Sequence, residues 1–193
     1  MNAPSPHIRL RDEAGQGPAV VILQPAGQPV SKIVPDLARD YRVLTVEVGA
    51  TAASPGAAQE LAAALAHIVP EPAGVIAGNA TAPLALWLAA EKPDAVAALG
   101  LIAPPPLDAA LREKAAAIAT ATLVLFGTRD AANPPTAGRA FRLALPNCQM
   151  LFVYDATGAM AEERPQAVAA ALDEFLQRRE KFIVTTRSGQ LYP

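Results

Sequence analysis

The sequence predicts an α/β protein with a mostly parallel central sheet and helices on both faces of that sheet. Short apolar runs bounded by turn-forming residues recur along the chain, as at residues 19–23 and 96–103. Such runs are typical of strands that are covered on both sides. Segments with helical spacing of apolar residues lie between them. A strict alternation of strand and helix implies parallel strands joined by helical crossovers.

Length and composition restrict the class of protein. A chain of 193 residues predicts one domain, which we place at residues 1–179, followed by a C-terminal tail at residues 180–193. With 52% hydrophobic and 18% charged residues, the chain can build a sizeable core and is too apolar for disorder. The formal net charge of -2 argues against nucleic acid or an anionic membrane surface as a partner.

The chain has one cysteine, Cys148, so neither a disulfide framework nor a cysteine-based metal site can form within it. We expect this thiol to be packed, and we expect no metal and no cofactor. The first six residues lack the charged and apolar parts of a signal peptide, and no segment is apolar for long enough to span a bilayer. These features predict a cytoplasmic protein with no membrane partner.

Seven strands are expected from the apolar patterns. Residues 7–11 alternate polar and apolar side chains, which predicts an edge strand with one wet face. The other six are continuous apolar or β-branched runs, of which the third leads directly into a helix. They are residues 19–23, 42–48, the run that begins at 74, and residues 96–103, 123–126 and 149–154.

Helices are expected between these strands. Proline suits the first turn of a helix because its φ is fixed and it has no N–H to leave unpaired, and Pro83 and Pro165 occupy such positions. Pro70 ends an earlier helix. The expected helices are residues 30–39, 56–68, 83–92, 107–118, 134–145 and 165–178. In the tail, residues 182–184 could pack as a short strand, and both disorder and a subunit contact remain open for the rest.

The stretch from Gly74 to Leu84 organises the remainder of the chain. A buried strand that turns sharply into a helix needs small residues on both sides of the bend, and Gly78 and Ala82 meet that need. The segment Gly78-Asn79-Ala80-Thr81-Ala82 resembles the G-x-S-x-G nucleophile elbow of the α/β-hydrolase family. The nucleophile position is Ala80, which has no lone pair to attack with.

The same resemblance implies positions for the other catalytic groups. Asp130 occupies the acid position at the end of the segment that begins at Leu123. Counting back from Arg164-Pro165, the histidine position is Gly158, or Ala159 if a gap is allowed, and neither side chain carries a proton. The only histidines, His7 and His67, are not placed to substitute. Without its usual partner, Asp130 is better interpreted as a relic that caps a loop than as a working acid.

By resemblance, the oxyanion hole would use the backbone N–H groups of Thr81 and Ala26. The Thr81 hydroxyl is expected to cap the helix start. Where many family members have His-Gly, this chain has Gln24-Pro25. The residues expected to line a substrate or ligand site are Ala26, Gly27, Asn79, Ala80, Thr81 and Gly158. Only one helix separates the strands at 96–103 and 123–126, so the cap domain of many relatives is absent and the pocket should be open, shallow or covered by another subunit.

Three functions follow as alternatives. The first is a pseudo-hydrolase that keeps the fold, lacks the serine and the histidine, and binds a small ligand or a partner protein at the former active-site mouth. The second is a weak or non-standard hydrolase of an ester or acyl substrate, using Asp130 and a backbone oxyanion hole. The third is an assembly or scaffold protein. A homodimer is an additional expectation, because loss of the cap leaves apolar surface near the mouth.

Overall fold

The computed structural model describes residues 8–49 and 53–182. Seven strands form one sheet in the order β1-β3-β2-β4-β5-β6-β7. β1 pairs antiparallel with β3, and every other neighbouring pair is parallel. The α/β class predicted from the sequence is therefore confirmed. The strands are β1 (Ile8–Ala14), β2 (Ala19–Pro25), β3 (Arg42–Val48), β4 (Ala73–Gly78), β5 (Val96–Ile102), β6 (Thr122–Gly127) and β7 (Cys148–Val153).

The helices cover both faces of the sheet. They are α1 (Val34–Leu37), α2 (Pro55–Ile68), α3 (Ala82–Glu91), α4 (Ala109–Ala115), α5 (Pro135–Ala144), α6 (Met160–Glu163) and α7 (Pro165–Arg178), with short 3-10 helices at Pro93–Ala95 and Arg179–Phe182. α4 is the one α-helix between β5 and β6, so no cap domain is inserted there. None of the helices in the described part of the chain has both the length and the apolar character needed to cross a bilayer.

Two apolar cores lie on opposite faces of the sheet. α2, α3, α4 and α5 pack on one face, and α1, α6 and α7 pack on the other. Along β2, Val21 and Leu23 belong to the first core while Val20 and Ile22 belong to the second. Successive side chains of a strand point to opposite faces, so a strand covered on both faces must be apolar at every position. This is why the central strands could be identified as continuous apolar runs.

α1 is shorter than the helix predicted over residues 30–39. The chain turns through residues 31–33, and the helix begins only at Val34, with Pro35 in its first turn. Pro35 has no N–H to donate to the carbonyl of Ser31, so a helix that started at Val30 would lose a hydrogen bond at that point. Proline in the first turn carries no such cost.

β1 also departs from its prediction. It is an edge strand as expected, but only Ile8 is buried, and Leu10 is 38% exposed instead of facing a core. The pairing with β3 shifts register between Leu10 and Asp12, which breaks the alternation that a regular strand would keep. His7 lies outside the described residues.

The start of the tail does not extend as a strand. Phe182 lies in the 3-10 helix after α7, and its ring packs edge-on against Phe175 with 5.7 Å between centroids. The Arg178 guanidinium lies 5.8 Å from the same ring. The predicted strand at residues 182–184 is thus wrong at its first residue, and residues 183–193 lie outside the described part of the chain.

Candidate functional site

A cleft of about 300 Å³ opens at the carboxyl ends of β2, β4 and β5. In sheets of this kind, ligands bind outside the carboxyl ends of the strands. The floor carries four isoleucines, Ile22, Ile33, Ile76 and Ile102, and the polar side chains that line it are Gln24, Gln28, Ser31, Asn79, Thr81 and Glu162. Ala80, Gly158 and Ala159 also line the cleft, so the structure brings the proposed nucleophile and histidine positions to one opening.

The turn between β4 and α3 is less strained than a nucleophile elbow. The Thr81 N–H donates to the Gly78 carbonyl at 2.9 Å, which closes a turn around Asn79 and Ala80. Among described residues other than glycine, positive φ occurs at Ala103, Asp155 and Arg179, and Ala80 is not one of them. A nucleophilic serine in a G-x-S-x-G elbow sits on a strained turn. The turn from β4 into α3 at Ala80 therefore has an unstrained backbone.

The prediction that the bend needs a small residue at Gly78 is wrong. A Cβ atom added at Gly78 would meet no heavy atom within 4 Å. Ala82, on the other side of the bend, is fully buried. The turn therefore leaves room for a larger side chain at Gly78, where the sequence predicted that a small residue is needed.

The Thr81 hydroxyl bonds the turn to β2. The predicted role of this hydroxyl as the cap of α3 is wrong. Thr81 occupies the N-cap position, yet its side chain accepts no hydrogen bond from the helix. Its Oγ1 instead donates to the Leu23 carbonyl at 2.9 Å, and the side chain is buried. A hydroxyl that donates to a buried carbonyl is poorly placed to attack a substrate in place of the serine that Ala80 lacks.

Asp130 lies in the loop after β6, close to Gly158. Its Oδ1 accepts hydrogen bonds from the N–H groups of Ala132 at 2.9 Å and Asn133 at 3.0 Å, so the carboxylate caps its own loop. Its Oδ2 is buried and has no hydrogen-bond partner among the described residues. A Cβ atom at Gly158 would lie 2.9 Å from that Oδ2. The free oxygen therefore faces the position that the resemblance assigns to the histidine.

The segment that carries Gly158 is held against the loop of Asp130 by an ion-pair cluster. Asp155 pairs with Arg129 at 3.0 Å and with Arg164 at 2.7 Å. Farther along, Glu163 accepts from both the hydroxyl and the N–H of Thr157, and these bonds lower the pKa of the Glu163 carboxyl. Of these contacts, the ion pair between Arg129 and Asp155 joins the two loops, and the others lie within the segment of Gly158.

The backbone donors proposed for an oxyanion hole are already bonded within the protein. The Ala26 N–H donates to the Val48 carbonyl at 3.0 Å, and the Thr81 N–H donates to Gly78. Gly27 donates to Glu47 Oε1 at 3.3 Å. Ala26 and Gly27 are also not among the residues that line the cleft. Of the predicted lining residues, Asn79, Ala80, Thr81 and Gly158 are brought together, and these two are not.

Glu47 organises the loop after β2, and the sequence analysis missed it. This carboxylate is 3% exposed and forms ion pairs with Arg9 and Arg11 of β1. The hydrogen bond from Arg11 and then that from Arg9 hold the pKa of Glu47 below its ordinary value. The signal in the sequence was a single acidic residue inside the mostly apolar strand β3. In the structure, Glu47 lies opposite Arg9 in the pairing of β3 with β1.

No alternative catalytic group reaches the cleft within the described residues. Cys148 is 6% exposed, and burial raises the pKa of its thiol to about 12. His67 is exposed on α2 and does not line the cleft. Ser31, also missed from the sequence, does line it, but the only ionisable lining residue, Glu162, pairs with Lys32 at 3.4 Å. Residues 8–49 and 53–182 hold no group of three His, Cys, Asp or Glu side chains suited to a metal ion.

No protein-family model matches the sequence, and no curated protein matches it. Solved structures do match. A serine hydrolase involved in carbazole degradation (CarC) has a TM-score of 0.76 at 15% identity, covering 86% of this chain and 93% of that chain. A thermophilic esterase from Thermogutta terrifontis has a TM-score of 0.73 at 16% identity, covering 90% of this chain and 94% of that chain.

A third similar structure is MGS-MChE2, an α/β-hydrolase enzyme from the metagenome of lagoon sediments of Mar Chica, Morocco. Its TM-score is 0.70 at 20% identity, with 90% of this chain and 99% of that chain covered. At such identities the likeness establishes the fold and leaves the chemistry to the site itself. The chain has the α/β-hydrolase fold, built without a cap domain between β5 and β6.

Proposed function

We propose that this protein is a catalytically degenerate α/β-hydrolase-like protein that binds a small ligand in the cleft at the former active-site mouth. The observation that supports the proposal is the composition of the cleft, which is lined by Ala80 and Gly158. The resemblance to the α/β-hydrolase family assigns these two residues to the nucleophile and histidine positions. An alanine and a glycine supply neither an attacking atom nor a base. A cytoplasmic location and the absence of nucleic-acid partners remain predictions from the sequence.

Hydrolysis by a non-standard route is the weaker alternative. That route would need backbone N–H groups free to stabilise an oxyanion. The N–H groups of Ala26, Gly27 and Thr81 each have an acceptor within the protein. The route would also need Asp130 to reach a substrate, whereas its unpartnered Oδ2 is buried under Gly158.

The lining indicates the chemistry of the ligand. The four isoleucines offer an apolar floor, and the amides of Gln28 and Asn79 offer donors and acceptors at its sides. Among the residues that the structure describes, Glu162 is the only charged side chain that lines the cleft, and no lysine or arginine of residues 8–49 and 53–182 lines it. The ammonium of Lys32 is already paired with Glu162, so a carboxylate would find no unpaired cation among the described lining side chains. We propose an uncharged or cationic ligand with a short apolar chain.

Three compounds with the same chain and different heads test this chemistry: hexanamide, hexylammonium and hexanoate. We expect the amide and the ammonium to raise the melting temperature of the protein, because a ligand that binds only the folded state stabilises it. Hexanoate should bind at least about tenfold more weakly, a difference of about 1.4 kcal/mol. Calorimetric titration of the purified protein gives the three dissociation constants.

The variant Ala80→Trp places a large ring at the exposed turn of the cleft and should abolish binding of both favoured compounds. Ala66→Trp is the matched control, since Ala66 is an exposed alanine that lines a different hollow, near the start of β4. It should leave binding unchanged. If none of the three compounds binds, or if Ala80→Trp binds as the natural protein does, the proposed ligand site is wrong.

A further inference from the structure

The two edges of the sheet differ sharply in composition. β1, at one edge, carries four charged residues among its seven and a register shift in its pairing with β3. Charged side chains and irregular pairing are the usual means by which proteins stop an exposed strand from pairing with another chain. The β1 edge is thus protected against association.

β7, at the other edge, has none of this protection. The segment Cys148-Gln149-Met150-Leu151-Phe152-Val153-Tyr154 contains no charged residue, no proline and no glycine. Phe152 is 51% exposed and Tyr154 is 85% exposed. An uncharged, apolar and exposed edge strand is the type that pairs with a further strand.

The backbone of β7 has the groups for such pairing. The carbonyls of Asn147 and Val153 accept hydrogen bonds from the N–H groups of Thr122 and Thr128. The backbone N–H and C=O groups of the odd-numbered residues of β7 therefore point toward β6. Because the backbone groups of a strand alternate in direction, those of Met150 and Phe152 face outward. The Gln149 amide donates to the Met150 carbonyl at 3.3 Å and would turn away when the edge is paired.

We propose that β7 pairs with β7 of a second copy of this chain, antiparallel and about a two-fold axis, so that the sheet continues through a homodimer. A two-fold contact places the same surface against itself. An edge that opposes its own copy must be free of like-charge repulsion, and the β7 edge is uncharged along its whole length. Because the edge carries no charge, it would not bind a charged peptide in preference to a second copy of this chain.

The location differs from the cap-less mouth where the sequence analysis expected a subunit contact. The cleft lies over β2, β4 and β5, and β6 separates β7 from the nearest of these strands. Pairing at β7 therefore leaves the cleft open to solvent. The dimer and the ligand site can each fail independently of the other.

Light scattering coupled to size exclusion tests the pairing. We expect the natural protein to be a dimer at micromolar concentration, and Phe152→Lys to raise the dissociation constant by at least about 30-fold, as loss of a central contact does. Leu143→Lys is the matched control, because Leu143 is 81% exposed on α5 and lies off the β7 edge. It should remain dimeric.

Hydrogen exchange gives a second measurement that is specific to strand pairing. The amides of Met150 and Phe152 should exchange slowly in the natural protein and rapidly in Phe152→Lys, while the amides of β6 stay protected in both. A monomeric natural protein, a dimer that survives Phe152→Lys, a dimer broken by Leu143→Lys, or open-ended aggregation would each overturn the proposal.

Discussion

We expect the variant Gly127→Ala to lose about 3 kcal/mol of unfolding free energy, the upper part of the range for overpacking a core. A Cβ at Gly127 would lie 2.3 Å from the Ala156 carbonyl oxygen and 2.6 Å from that of Thr157. These are backbone atoms, and the Ala156 carbonyl also accepts from the Arg129 N–H at 2.9 Å. One methyl group therefore pushes the Asp130 loop and the segment of Gly158 apart.

Thermal unfolding measures this effect, and a loss of that size corresponds to roughly 6–12 °C for a chain of this length. Gly78→Ala is the control, since it adds the same methyl group at the carboxyl end of β4, a parallel strand of the same sheet, where no heavy atom of the described residues lies within 4 Å. It should change the free energy by less than about 0.5 kcal/mol. Equal destabilisation by the two variants would contradict this prediction, because it would show that the closeness of Gly127 to the Ala156 and Thr157 carbonyls does not affect stability.

The second large effect concerns Asp130, where two substitutions should differ in direction. Asp130→Ala removes the acceptor of the Ala132 and Asn133 N–H groups, and Asn133 is buried. Leaving a buried N–H unpaired costs about 1–3 kcal/mol, so this variant should be less stable by that amount. Urea unfolding with the slope held common gives the difference.

Asp130→Asn keeps an oxygen for the two N–H groups and replaces the unpartnered carboxylate oxygen with an uncharged nitrogen. Burying an unpaired charge costs more than burying a neutral amide. We therefore expect this variant to be at least as stable as the natural protein. If Asp130→Asn were as destabilised as Asp130→Ala, the carboxylate would have a charge-dependent role that the loop-capping account lacks.

The fold could be predicted from the sequence because its signals are local. The central strands are apolar at every position since both faces are covered, and prolines mark the first turns of α3 and α7. The positions of Ala80, Asp130 and Gly158 followed from a resemblance, and their closeness depends on the order of strands in the sheet.

The remaining features depend on contacts between distant segments. The bond from Gly27 to Glu47 and the ion pairs of Glu47 with β1 join three parts of the chain. The relaxed turn at Ala80 follows from backbone geometry, which a sequence pattern alone does not contain. The register shift between Leu10 and Asp12 likewise depends on the pairing of β1 with a distant segment, β3.

The most direct test of the account is the rate of hydrolysis of short-chain nitrophenyl esters by the natural protein and by Asp130→Asn. A scaffold without its triad can still exceed water by about 10³–10⁴, so a slow rate alone decides nothing. We predict the same low rate for both proteins, because Asp130 caps a loop and reaches no substrate. Turnover by the natural protein that Asp130→Asn abolishes would contradict it.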